Sequence, residues 1–210
     1  GEKELSQMRV IRSQVTRMRR LVEDLLDVSR IDRRGAVSIE PEPIDLAEEV
    51  REAVARTGRE HPQRTITAEV PDTLPIRADR DRVGQVLTNL LDNAVKYSPE
   101  GGPVTARARE AGDGVEIEVL DTGLGISADQ AEVIFERFFQ ADVDAGRRFG
   151  GLGLGLYITR AIVEAHGGEI SAGPNAEAGH GTIIRVTLPR VARVATPAHE
   201  AIPPFVARRG

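Results

Sequence analysis

Residues 102–121, GPVTARAREAGDGVEIEVLD, alternate apolar and polar side chains on either side of a Gly112-Asp113-Gly114 turn. A period of two sends successive side chains to opposite faces of a strand, and two such runs around a glycine turn predict a β-hairpin. "RTITAEV" alternates as a strand in the same way, and "GEISAG" with "GTIIRVTLP" predicts a final strand pair. Helical periods fill the gaps. Asp45 reads as an N-cap, with Glu48 three residues on to complete a capping box, for a helix to about Arg59. Further helices are expected from about Asp79 to Tyr97, near 128–135, and from roughly 152 to 165. The combination predicts an α+β fold: a layered α/β sandwich whose mixed, largely antiparallel sheet carries helices on one face.

The chain opens on a different pattern. Met8, Ile11, Val15, Met18, Val22, Leu25 and Ser29 follow alternating steps of three and four, a heptad seam that is apolar up to its last member. Leu21, Leu26 and Val28 widen the stripe, as a helix in a four-helix bundle requires. A helix of about thirty residues far exceeds the globular mean. Residues 1–35 are therefore read as one long bundle helix whose partners lie elsewhere, ended by Gly35 and the prolines at 41 and 43. Residues 36–190 form the layered domain, and 191–210, which lack a sustained period, are expected to be a disordered tail.

Composition narrows the function classes. At 40% hydrophobic and 29% charged residues, the chain is predicted to be soluble and globular. No run approaches the ~18 apolar residues of a membrane span, and the absence of cysteine excludes disulfides and thiolate metal sites. A net charge of −5 does not favour the nucleic-acid backbone as a partner. The expectation is a cytoplasmic segment without nucleic-acid or membrane contact of its own, compatible with a parent anchored in the inner membrane.

Four stretches carry chemistry. In "QVLTNLLDNAVKYS", Val83, Val86, Leu87, Leu90, Leu91 and Ala94 share one helical face, while Asn89, Asn93 and Lys96 stand together on the opposite one. A solvated polar face is the plain reading. Yet asparagine is a poor helix former, and an amide oxygen can ligate Mg²⁺ while a Lys one turn on meets a phosphate. In "LDTGLGIS", Asp121 ends a strand and Gly123 and Gly125 follow. This reads as an ordinary turn, or as a base pocket: a carboxylate accepts the exocyclic N–H of adenine, where guanine has a carbonyl. "IFERFFQ" places Phe135, Phe138 and Phe139 within five residues, either as core or as a hydrophobic latch for a mobile lid. "RRFGGLGLGLYITR", residues 147–160, runs a glycine-rich turn into a helix, where backbone N–H groups can cradle phosphate. It is neither a P-loop, since Leu156 and Tyr157 follow Gly155, nor a dinucleotide fingerprint, whose third glycine would fall at Leu156.

In this order, the four stretches resemble the catalytic and ATP-binding domain of bacterial two-component sensor histidine kinases, within the GHKL superfamily. Asn89 to Ser98 resembles the N box, Asp121 to Ile126 the first glycine box, Phe135 to Phe139 the F box, and Gly150 to Leu156 the merged second and third glycine boxes. Arg20 to Asp32, "RLVEDLLDVSRID", is similar to the second helix of the family's dimerisation and phosphotransfer domain. The resemblance spans about residues 5 to 190 and implies a Bergerat-type fold with ATP and Mg²⁺ as cofactors. It further implies Asn93 as the main Mg²⁺ ligand with Asn89 assisting, Lys96 and Tyr97 on the phosphate and ribose side, and Asp121 selecting adenine. Gly123, Gly125, Gly151, Gly153 and Gly155, with Leu152 and Leu154 between them, would let the backbone approach the nucleotide closely. Arg137 would stabilise charge on the γ-phosphate, Arg147 and Arg148 would be weaker candidates on the lid, and Thr182 would touch phosphate.

The same resemblance implies transfer of the γ-phosphoryl group to a histidine in an H-E-x-x-x-P box on the first bundle helix, then to an aspartate of a response regulator, in a parent that is a homodimer. None of the four histidines fits that role. His61 precedes a proline, His166 and His180 sit in glycine turns, and His199 matches the letters "HEAIPP" only within a proline-crowded tail. The first bundle helix is therefore expected to be missing from this chain, which should hold no phosphoacceptor and not autophosphorylate alone. The competing readings are another GHKL ATPase, an anti-sigma-type serine kinase, or a degenerate nucleotide-binding scaffold.

Overall fold

The computed structural model describes residues 15, 18, 21–33, 37–140 and 152–192. Its elements run α1 (21–33, with Val15 and Met18 already helical), β1 (Glu42–Asp45), α2 (Leu46–Glu60), β2 (Ile66–Glu69), β3 (Pro75–Ala78) and α3 (Arg80–Lys96). There follow β4 (Val104–Ala111), β5 (Gly114–Asp121), α4 (Ala128–Val133), α5 (Gly155–Ala165), β6 (Glu169–Pro174) and β7 (Thr182–Pro189).

The predicted hairpin is the middle of a five-stranded sheet of order β2-β4-β5-β7-β6. Its register pairs Val104 with Asp121 at one end and Ala111 with Gly114 at the other. Only β2 and β4 run parallel, so the sheet is mixed and largely antiparallel, as its alternating sequences predict. One face buries Val104, Ile117 and Val186 beneath α2, α3 and α5, whose Leu46, Leu87, Leu90, Leu91 and Ile158 are fully buried. The other face carries charges in register. Arg107 lies opposite Glu69, Arg109 opposite Glu116 and Arg185 opposite Glu118, and each pair is joined by an ion pair. Opposite charges directly across a ladder support one register over a slipped one.

Capping explains where the helices start. Asp79 caps α3 by accepting the Arg82 N–H at 3.1 Å, and its other oxygen takes the Glu40 N–H at 2.8 Å. Asp45 caps α2 through the Ala47 N–H at 3.0 Å, but its second partner is the Leu74 N–H at 2.8 Å rather than a box with Glu48. The reciprocal box occurs at α4, between Ser127 and Gln130. His166, which the sequence places in a glycine turn, is buried at the C-cap of α5. Its Nδ1 lies 2.8 Å from the Ile162 carbonyl and its Nε2 accepts the Asp79 N–H at 3.1 Å, which fixes the neutral Nδ1–H tautomer and joins the end of α5 to the start of α3.

Two features escape the sequence reading. β1 and β3 form a separate antiparallel pair despite Pro43 and Pro75: Pro75 is the first residue of its strand, and Pro43 lies opposite Arg77, whose own N–H turns away to the Arg190 oxygen. Val191 and Ala192, at the start of the predicted tail, pair with Arg77 of β3, so the tail is pinned at its root. Residues 193–210 lie outside the described residues, as do Met8 and Ile11 of the heptad seam.

The N-terminal helix divides its faces. Ile31 is buried, and Asp27, 7% exposed, accepts from Arg82 at 3.1 and 3.2 Å and from Gln85 at 2.9 Å. These contacts dock α1 on α3. Val15, Met18, Val22 and Leu25, the described apolar members of the seam, are each more than half exposed. Among the described residues no helix is long and apolar enough to cross a membrane.

Candidate nucleotide site

The last two turns of α3, the carboxyl end of β5, the loops on either side of α4 and the start of α5 surround a cavity of about 480 Å³. Leu90, Val119, Ile126, Ile134 and Ile184 give it apolar walls, the surroundings a flat base prefers. Polar groups converge from three directions: Asn93, Lys96 and Tyr97 from α3, Asp121 from β5, and Thr182 from β7.

Asp121 is 6% exposed. Its Oδ1 accepts the N–H groups of Gly123 at 2.8 Å and Thr182 at 3.2 Å, while its main-chain oxygen accepts the Asn175 side-chain amide at 2.9 Å. Among the described residues both carboxylate bonds end on Oδ1, and Oδ2 remains for a ligand donor. Burial pushes the carboxyl above its ordinary range, and the two backbone bonds oppose that shift. Asn175, itself buried, had no signal in the sequence beyond its place between glycines.

α5 supplies the anion end. Its N-cap, Leu154, forms no side-chain cap bond, so the first-turn N–H groups of the helix are left for another acceptor. Leu152, Gly153, Leu154 and Gly155 all border the cavity there, as does Gly125 across from them. Lys96 stands over the ring of Tyr97, with Nζ 4.7 Å from its centroid.

Three sequence-predicted residues do not line the cavity. The Asn89 amide donates to the Gly155 carbonyl at 3.2 Å and to Thr159 Oγ1 at 3.3 Å, locking α3 to the first turn of α5. Arg137 bonds Asp32 of α1 and, at 2.6 Å, the hydroxyl of Tyr157. Gly123 lies behind the wall: a Cβ there would stand 2.1 Å from the Tyr97 carbonyl oxygen, and the next residue, Leu124, donates to that same oxygen at 3.0 Å. Its role is chain-on-chain packing. Gly151, Arg147 and Arg148 lie outside the described residues. Leu21 and Asp24 of α1, which the sequence reading did not include, border the cavity.

The F box separates into three roles. Phe135 is buried, Phe139 borders the cavity, and Phe138 is 63% exposed with φ of 60°. The tie to the glycine-rich loop is made by backbone, from the Phe138 N–H to the Gly153 oxygen at 3.1 Å. Gly153, at φ of 69°, leaves no room for a side chain, because a Cβ would lie 2.6 Å from the Phe139 oxygen.

Residues 78–192, more than half of the chain, match the family described as histidine kinase-, DNA gyrase B-, and HSP90-like ATPase. The chain belongs to this ATPase family. Over 191 residues it is 37% identical to the sensor histidine kinase WalK of Bacillus subtilis (strain 168), an alignment that covers 86% of this chain and 30% of that relative. The chain thus spans under a third of that relative's length. Full-length ShkA in complex with AMPPNP matches with a TM-score of 0.69 at 32% identity, over 88% of this chain and 40% of that one. The histidine kinase ThkA in complex with the response regulator protein TrrA matches at 0.66 and 25% identity, over 86% of this chain and 49% of that one. Within the GHKL family the present chain is an ATP-binding domain of the sensor histidine kinase type, and its layered fold is the one the sequence predicts.

Proposed function

We propose that this chain is the kinase portion of a sensor histidine kinase. It moves the γ-phosphoryl group of Mg·ATP to a histidine nitrogen on a separate bundle helix, for onward transfer to an aspartate of a response regulator. The observation that carries this reading is Asp121, a buried carboxylate with one oxygen fixed by two backbone N–H groups and the other left for a base. That oxygen accepts the exocyclic amino group of adenine, and the bonds on Oδ1 hold it in place before the ligand arrives.

Asn93 and Lys96 border the same cavity as Asp121 and the uncapped start of α5, which supports roles for them at the phosphate end. Mg²⁺ neutralises phosphate charge when bound, and the amide oxygen of Asn93 fits it as a hard donor. Asn89 assists through its oxygen, since its amide nitrogen is committed to Gly155 and Thr159. The Lys96 ammonium meets the phosphates, and the first-turn N–H groups of α5 orient them. Arg137 acts on the γ-phosphate only after leaving Asp32.

The likeness to ThkA, solved with TrrA, supports a response regulator as the kind of partner. The exposed seam of α1 supports pairing with further bundle helices and a homodimeric parent. The test mixes this chain and labelled ATP with a separate protein bearing an H-box helix pair. Acid-labile, alkali-stable label should appear on that protein, none on this chain, and Asn93→Ala should abolish it. Acid-stable label on serine would move the protein to the anti-sigma type of kinase.

A further inference from the structure

Away from the bonds that hold Asp121, a second group of chemically able side chains meets where α2 packs against α3. Glu60 is the last residue of α2, His61 is its C-cap, and Asp92 lies on α3. One ligating atom from each lies within 4.8 Å of the other two. Glu60 is exposed and the other two are half-buried, so an ion can enter from solvent.

The donor set is one imidazole nitrogen and two carboxylate oxygens. Mg²⁺ and Ca²⁺ take oxygen ligands, whereas imidazole with carboxylate suits Zn²⁺ and its transition-metal neighbours. Three protein ligands leave the fourth tetrahedral position to water. The backbone presents the imidazole from a fixed point: the His61 N–H bonds the Thr57 oxygen at 2.9 Å, and the His61 oxygen accepts the Arg64 N–H at 2.9 Å. The carboxyl end of α2 adds the negative end of its dipole to the two carboxylates. Ligands from two elements distant in sequence would be joined by one ion.

We propose that Glu60, His61 and Asp92 form a divalent transition-metal site, of Zn²⁺ type, that clips the end of α2 to α3. Asp92 also borders the nucleotide cavity, so the site adjoins that of the nucleotide, but its other two ligands come from the end of α2, which does not line the cavity.

Titration calorimetry of the whole chain with ZnCl₂, nucleotide-free and in excess Mg²⁺, tests the proposal. One Zn²⁺ per chain should bind, and His61→Ala and Glu60→Gln should each weaken it by about tenfold or more. Exposed His180 is the control, and His180→Ala should leave zinc affinity unchanged. Zinc should raise the melting temperature of the parent chain but not that of His61→Ala, whose own ATP affinity, measured without zinc, shows that it is folded. Absence of saturable zinc binding, full competition by Mg²⁺, or equal affinity in His61→Ala would overturn the site.

Discussion

The side-chain amide of Asn175 donates to the main-chain oxygen of Asp121 at 2.9 Å, across 54 residues of sequence. Asn175 Oδ1 in turn accepts the N–H groups of Glu177 at 3.1 Å and Ala178 at 3.3 Å. One buried amide therefore holds both the strand end that carries the base-reading carboxylate and the turn leading to Thr182. Asn175→Ala should cost about 1–3 kcal/mol, because it leaves the buried Asp121 oxygen without its donor. It should also weaken ATP binding although Asn175 does not border the cavity. Urea unfolding and ATP titration of the same variant check the two halves.

Two glycines should respond in opposite directions. Gly84 lies inside α3, and a β-carbon added there would meet nothing within 4 Å, so Gly84→Ala should stabilise by about 1 kcal/mol through helix propensity. Gly123→Ala drives a methyl into the Tyr97 carbonyl. It should destabilise by about 1–3 kcal/mol and lower ATP affinity by displacing Tyr97. Thermal melts of both variants decide this.

Arg137 and Asp32 form a half-exposed ion pair between the F box and α1. Such pairs contribute about 0–1 kcal/mol, so Asp32→Asn should barely change the melting temperature. If Arg137 serves the γ-phosphate, Asp32→Asn should not slow transfer to an H-box protein. Arg137→Ala should slow it by about tenfold or more while ATP affinity stays within about twofold. Single-turnover rates alongside calorimetric affinities separate the two effects.

Burial holds the His166 imidazole below its ordinary range. As pH falls through about 6.5 the unfolded chain takes up a proton that the folded chain refuses. The contribution is thus fully present above that pH and is lost progressively below it. His166→Gln should be less stable than the parent at pH 8, and the difference should shrink towards pH 5.5. Urea unfolding at a series of pH values follows it, and other titrating groups cancel in the comparison.

Much of this was legible from periodicity. The hairpin and α3 have long, regular patterns, and the structure returns their ends within two residues. β1 and β3 were not, because four residues containing a proline carry too little alternation to outweigh a breaker. Within the site, the sequence shows which face of α3 bears Asn89, Asn93 and Lys96 but not what covers each turn of it. Asn89 meets α5, and the other two meet the cavity. Gly123 was singled out for nucleotide approach, yet its neighbour is the Tyr97 carbonyl, a contact set by tertiary packing. Asn175 and the α1 residues Leu21 and Asp24 reach the site only through long-range folding, which no local pattern reports.

The central claim is that the free oxygen of Asp121 reads the amino group of adenine. Calorimetric titration of the parent chain and of Asp121→Asn with Mg·ATP and Mg·GTP tests it most directly. The parent should bind ATP with GTP strongly disfavoured, because guanine places a carbonyl against the carboxylate. Asp121→Asn should lose that discrimination, since an amide can present either a donor or an acceptor, and its stability should be at least that of the parent because a buried charge is removed. Equal affinity of the parent chain for ATP and GTP, or undiminished ATP preference in Asp121→Asn, would contradict the account.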